Sequence, residues 1–205
     1  MPDSPAAVSR ADSQTAAVPP RERILTAARE LFYRHGIHSV GVEAIAEAAG
    51  TNKMTLYRHF TSKDQLIAEC MRQLAADFDA AGEALARKHA DDPKGQLMAW
   101  LRFIADFKSD TTNRGCALAN AAIELPDKDH PAKRVIEEHK TLFRAKIIRL
   151  CREAGLADPE LLADELFLLC EGARVSVRSI GPEGPAAQLP RMFEKLVERH
   201  ASPAH

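Results

Sequence analysis

AARELFYRHGIHSVGVEAIAEAAGTNKMTLYRHFTSKDQLI, residues 27–67, divides at its glycines and capping residues into four helical runs. Ile24, Ala27, Ala28, Leu31 and Phe32 recur at steps of three and four, which predicts one apolar helix face from about Arg21, with Gly36 as its stop. Val42, Ile45, Ala46 and Ala49 make a second run of about two turns, closed by Gly50. Thr51 or Asn52 can cap a third, which carries Leu56, Tyr57 and Phe60. Ser62 with Gln65 three positions on resembles a capping box. It opens a long fourth helix that keeps helical spacing through Leu66, Cys70, Leu74, Phe78 and Leu85 to about Lys88.

Beyond this stretch the pattern stays helical. Asp92-Pro93 and Asp158-Pro159 each pair a capping residue with proline at a first helical position. Helices are predicted from Leu97 to Phe107, Cys116 to Leu125, Ala132 to Ala154, across LLADELFLLCEGARVSVRSI (residues 161–180), and from Ala187 to Arg199. Breaks fall at Ser109 to Asn113, Pro126 to Pro131 and Gly181 to Pro185. The expectation is an all-α chain of about nine helices without internal repeats.

The 205 residues are 45% hydrophobic, enough for a sizeable core, but only 5% aromatic. Recurrent Ala and Leu favour helix over sheet because they lose little freedom on entering a helix. Residues 1–20 are small, polar and proline-containing, so they read as a disordered arm rather than a secretory signal. No apolar run is long enough to span a bilayer, so no membrane partner is expected. Cys70, Cys116, Cys151 and Cys170 are widely spaced, which suits free buried thiols in a reducing cytosol.

Two short helices joined by a tight, Gly-containing turn define a helix-turn-helix. Here they are VEAIAEAAG (residues 42–50) and TNKMTLYRHF (residues 51–60). Ile45, Ala46 and Ala49 allow the first to pack closely across the second. The second offers Asn52, Lys53, Thr55 and Arg58, all able to donate to base edges or phosphates. Every formal charge from Thr51 to Lys63 is positive, a local basic footprint concealed by a net charge of -1.

The whole run resembles the N-terminal domain of TetR-type repressors. The resemblance rests on Ala28, Leu31, Phe32, Gly36, Ile45, Ala46, Ala49, Gly50, Leu56, Tyr57, His59, Phe60, Lys63 and Leu66, and covers about residues 21–73. It implies a three-helix DNA-binding domain over 21–66, then a ligand-binding and dimerisation domain over 67–202. It also implies a cytoplasmic homodimer paired through residues of about 159–200, on a near-palindromic double-stranded DNA operator, released by a small-molecule effector. By resemblance, Tyr57, His59 and Lys63 match positions that hold the DNA backbone; Asn52, Lys53, Met54 and Thr55 fall where members vary and read bases. Two positions depart from the pattern. Gly41 stands where a capping Thr or Ser usually touches phosphate, and Met54 where a small Gly is usual.

The later helices carry no motif tied to one chemistry. Glu124, Glu171 and Arg174 are charged residues on otherwise apolar helices. They are either interhelical ion pairs or the few polar groups of an apolar ligand pocket. Trp100, Phe103, Phe107, Phe143 and Phe167 are either plain core or the walls of such a pocket, for which Cys116 and Asn120 are further candidates. Cys116 lacks an adjacent base or resolving cysteine that would make it a redox sensor. Cys116 and Cys151, with His130 and His139 between them, lack the paired spacing of zinc ligands, so no metal or cofactor is expected. His35 and His38 flank Gly36 and read as loop residues with no special role. No nucleophile elbow, P-loop, G-x-G-x-x-G or H-E-x-x-H occurs, which argues against an enzyme.

Overall fold

The computed structural model describes residues 18–106 and 115–201. Most of the predicted N-terminal arm, Phe107, the break at Ser109 to Asn113 and the last residues of the chain lie outside them. The described residues form α1 (Pro20–His35), α2 (Val42–Ala48), α3 (Lys53–His59), α4 (Lys63–Lys88), α5 (Pro93–Ala105), α6 (Ala117–Glu124), α7 (Pro131–Glu153), α8 (Pro159–Ile180), a 3-10 turn η1 (Pro185–Gln188) and α9 (Leu189–His200). Among them the only extended pairing is an isolated bridge between Leu156 and Ala201.

Local chemistry accounts for most of the boundaries. Ser62 Oγ accepts from Gln65 N at 3.0 Å, while Gln65 Oε1 accepts from the backbone N–H of Thr61, one residue before the usual box partner. Asp92 caps α5 through Gly95 N. His130 Nδ1 accepts from Ala132 N and so caps α7. At the end of α2, Gly50 (φ 59) donates to Glu47 O and Thr51 to Ala46 O, the paired bonds of a Schellman stop.

Two expectations need correcting. Asp158 does precede α8, but it sits in the left-handed region (φ 46) and its side chain makes no capping bond. The last α-helix starts at Leu189, not Ala187. A start at Ala187 would put Pro190 where a backbone N–H must bond back four residues; proline has none, so a 3-10 turn occupies those residues instead.

The apolar faces assemble into two cores. The first gathers Ile24, Ala28 and Phe32 of α1, Ile45 of α2, Leu56 of α3 and Leu66, Ile67, Cys70 and Met71 of α4, and continues into Leu118 and Ala121 of α6 and Ile136 of α7. The second joins α5, α7, α8 and α9 around Leu97, Leu101, Leu150, Leu162, Leu166 and Phe193. The 26-residue α4 runs from the first core to the second and packs along α7. Two ion pairs lash α1 to it: Arg21–Glu69 at 2.8 Å and Arg29–Asp77 at 2.5 Å. Arg21, by hydrogen bonding, is the main reason the Glu69 carboxyl titrates below its usual range.

Candidate functional site

α2 and α3 have seven residues each, too short to persist alone, so the first core must hold them. Ile45 and Ala46 on one side and Leu56 and Phe60 on the other are buried, which leaves the opposite face of α3 in solvent. On that face Met54 is 79% and Tyr57 42% exposed, with Asn52, Lys53, Arg58 and His59 also exposed and Thr55 partly so. The sequence-predicted DNA-contact residues on α3 thus share one accessible surface.

Three of the eight residues predicted to contact DNA are already engaged. Asn52 Oδ1 accepts from Thr55 N at 2.9 Å, so Asn52 is the cap of α3 and retains its amide N–H groups for other partners. Lys53 Nζ donates to Glu43 Oε1 at 2.6 Å across the turn. That bond holds the Lys53 ammonium above and the Glu43 carboxyl below their ordinary pKa ranges. The basic footprint read from residues 51–63 is therefore partly neutralised by α2, which no count along that segment can reveal. Lys63 is half-buried and donates to the backbone carbonyl of Ile37 at 2.7 Å, with its Nζ near the face of Phe32; burial lowers its pKa.

Gly41 caps α2 in an extended conformation with no side-chain bond. A Cβ there would meet only Glu43 Oε2 at 3.5 Å, an ordinary contact.

Behind this surface, α1, α4 and α6 border an open cavity of about 550 Å³ that Arg174 of α8 also lines. Of the residues proposed from sequence as ligand contacts, Cys116, Asn120, Glu124 and Arg174 line it. Trp100 and Phe143 instead pack against Phe78, and Phe167 against Phe143, in an aromatic cluster at the second core, the Phe78 and Trp100 rings 4.6 Å apart. Phe103 lies at the edge of that cluster and is 43% exposed. Glu171 is paired with Lys140 at 2.6 Å, and Phe107 is outside the described residues. Sequence reasoning missed the cavity walls from α1 and α4, among them Arg29, Tyr33, Met71, Leu74 and Phe78. Met71, Leu74 and Phe78 have the spacing of core positions, and Arg29 and Tyr33 lie beside the apolar face of α1, so nothing in the pattern marked them.

Glu124 connects the cavity to the helix-turn-helix. Its Oε2 accepts from Ile37 N at 2.5 Å, and its backbone carbonyl accepts from His38 Nε2 at 2.5 Å. Ile37 is thus held at its amide by Glu124 and at its carbonyl by Lys63. Gly36 (φ 86) admits the Glu124 carboxylate, because a Cβ there would lie 3.0 Å from Oε2. His38, read as a loop residue without a role, is therefore half of this grip. Its partner lies 86 positions away in sequence, beyond any local signal.

Cys70, Cys151 and Cys170 are buried, and burial pushes their thiols up to about 12, 11 and 12. Cys116 is only half-buried, unlike the fully buried thiol expected of it. Among the described residues no group of three or more His, Cys, Asp or Glu side chains is placed to hold a metal ion, and no helix is long and apolar enough to cross a membrane.

The sequence profile of the bacterial regulatory proteins of the tetR family matches residues 24–70. The HTH-type transcriptional regulator UidR of Escherichia coli K12 is 50% identical over 54 residues, a stretch that spans 26% of this chain and only 28% of UidR. The HTH-type transcriptional repressor ComR of the same organism is 27% identical over 166 residues, 77% of this chain and 79% of ComR. The crystal structure of SCO4454, a TetR-family transcriptional regulator from Streptomyces coelicolor, superposes with a TM-score of 0.83 at 31% identity, covering 89% of this chain and 96% of SCO4454. The chain belongs to the TetR family. It is accordingly a DNA-binding transcriptional regulator and not an enzyme. The profile match over residues 24–70 includes α2, the turn and α3.

Proposed function

We propose that the chain is a cytoplasmic, homodimeric repressor that leaves a near-palindromic operator when a small molecule binds. The observation that carries the DNA-contact assignment is the shared exposure of Met54, Tyr57, Arg58 and His59 on a helix whose other face is buried. Tyr57, Arg58, His59 and Lys63 contact phosphate; Asn52, Lys53, Met54 and Thr55 face base edges. Lys53 must first exchange Glu43 for DNA, an exposed pair that costs little to break. The DNA-binding unit corresponds to residues 21–66 and the effector and dimer unit to residues 67–202, although their packing is continuous through α4 and α6.

Dimerisation uses α8 and α9. Leu161, Leu168 and Val175 recur every seven residues on α8 and are 57%, 68% and 64% exposed, beside a groove to α9 lined by Met192 and Leu196. An apolar stripe of this kind is unusual on a free surface and suits a second copy related by a two-fold axis. Two α3 helices would then enter successive major grooves about 34 Å apart. The effector occupies the cavity between α1, α4 and α6, where it can bias how α1 sits on α4. To shift the chain from mostly bound to mostly free, it must prefer the released arrangement by several kcal/mol.

Selection of random duplex DNA with the purified chain, read by sequencing, tests the first half of this reading. An enriched inverted repeat is expected. Binding with no enriched sequence would remove operator recognition. A reporter carrying the selected site downstream of a promoter then fixes the sign of regulation: lower expression is expected, and higher expression would make the chain an activator.

A further inference from the structure

The polar groups around the cavity are unequally satisfied. Arg29 is held by Asp77 and Gln73, Glu30 by Arg34, and Glu124 by the Ile37 amide. Arg174 differs: its Nε is buried and has no hydrogen-bond partner. The nearest carboxylate on its own helix, Glu171, is taken by Lys140. A guanidinium only donates, so a buried N–H left empty is a standing penalty; the atom is closed off as the side chain lies, and a turn of Arg174 into the cavity that it lines would bring it to an acceptor from outside.

Phe32, Met71, Leu74, Phe78 and Leu118 make much of the remaining wall apolar. The complement of such a wall with one unmet cationic donor is an apolar body ending in a single planar anion. A carboxylate fits the guanidinium fork in two parallel bonds, whereas a doubly charged phosphate would lose far more hydration on entering the same walls.

We propose that this cavity binds an apolar organic acid, its carboxylate on Arg174 and its body against α1 and α4. The inference rests on the effector reading above and deepens it. Glu124 shares the cavity, so a bound acid lies beside the carboxylate that grips Ile37. Its charge disfavours a second anion there, and its bulk presses on α6, both of which loosen the hold on the turn before α2.

The test is titration of the full-length chain with decanoate and cinnamate, each beside its primary amide, decanamide and cinnamamide, followed by calorimetry. Each acid is expected to bind at least about tenfold more tightly than its amide. Arg174→Gln should erase that preference with the amide affinities unchanged, and Arg174→Lys should restore part of it. Equal affinities for acid and amide overturn the inference. So does a preference that survives in Arg174→Gln, or no binding of any of the four probes up to their solubility. If Arg174→Gln does not fold, the acid-to-amide ratio in the unaltered chain decides alone. Acid binding that depends on Arg174 but leaves affinity for the selected operator unchanged would uphold this site and overturn the effector reading.

Discussion

Gly41 and Lys63 show how single residues of the helix-turn-helix unit divide between shape and contact. A Cβ at position 41 meets nothing closer than ordinary contact, and the backbone is already extended as a cap requires. Gly41→Ser should therefore gain a few tenths of a kcal/mol of stability from the added cap. It should also bind every duplex severalfold more tightly without altered preference, read by fluorescence anisotropy on specific and scrambled DNA; a change in preference instead would place position 41 at a base edge. Tyr57 and Lys63, given the same role by resemblance, separate here. Tyr57 is exposed, whereas Lys63 holds the Ile37 carbonyl. Tyr57→Ala should weaken DNA binding uniformly with no change in urea midpoint. Lys63→Ala should do the same and also lose about 1 kcal/mol, the worth of a part-buried hydrogen bond to a charged donor. Equal stability of the two variants would show that the Ile37 bond is incidental. The sequence made Lys63 legible as a cation in the right place, but not as a strut, because its partner is a backbone atom 26 residues away.

Helix α4 carries two features that act through its neighbours. Gly82 is buried against Trp100 of α5 and Lys146 of α7, whose ammonium lies 4.6 Å from the centre of the indole ring. A methyl group there would collide with the ring. Alanine gains about 1 kcal/mol of helix propensity over glycine, but overpacking a dense core costs about 1–3 kcal/mol. Because the obstacle is a ring wedged among Phe78 and Phe143, the collision should win. Gly82→Ala should thus lower the urea midpoint and shift the emission of Trp100, the single tryptophan; an unchanged spectrum would mean that α5 moves aside freely. His139 of α7 is buried against Phe78, with Asp79 of α4 at 3.8 Å. Burial lowers its pKa from 6.5; Asp79 opposes the shift and Lys140 adds to it. The unfolded chain therefore takes up this proton first. The stability that neutral His139 contributes is complete above about 6.5 and is lost as pH falls through the lower folded value. Between about pH 8 and about pH 5, His139→Gln should lose less stability than the unaltered chain in urea melts. An equal loss would assign the acid sensitivity to other groups. Helix extents were largely readable from caps and prolines. The exception at Ala187 came from weighing apolar spacing above the N–H that Pro190 lacks.

Across the whole molecule, the proposed assembly depends on α8 and α9 rather than on the DNA-facing unit. Leu168→Glu combined with Val175→Glu should leave a folded monomer by light scattering. Operator affinity should fall at least about a hundredfold, because one half-site alone then carries the binding. A dimer that survives both charges would move the interface elsewhere. By itself the sequence determined the all-α class, the order and approximate ends of the helices, and the helix-turn-helix. Those depend on apolar periodicity and on capping groups within about four residues of what they cap, and both are written locally. The tertiary structure alone decided which candidates meet. It placed Cys116, Asn120, Glu124 and Arg174 on one cavity, and Trp100, Phe143 and Phe167 in a core instead. It also brought Glu124 to Ile37 and Glu43 to Lys53. Each of these rests on the angle at which one helix crosses another, set by the summed packing of both cores; an apolar or charged residue looks the same in sequence whether the neighbour it meets is a side chain, a backbone amide or an empty space.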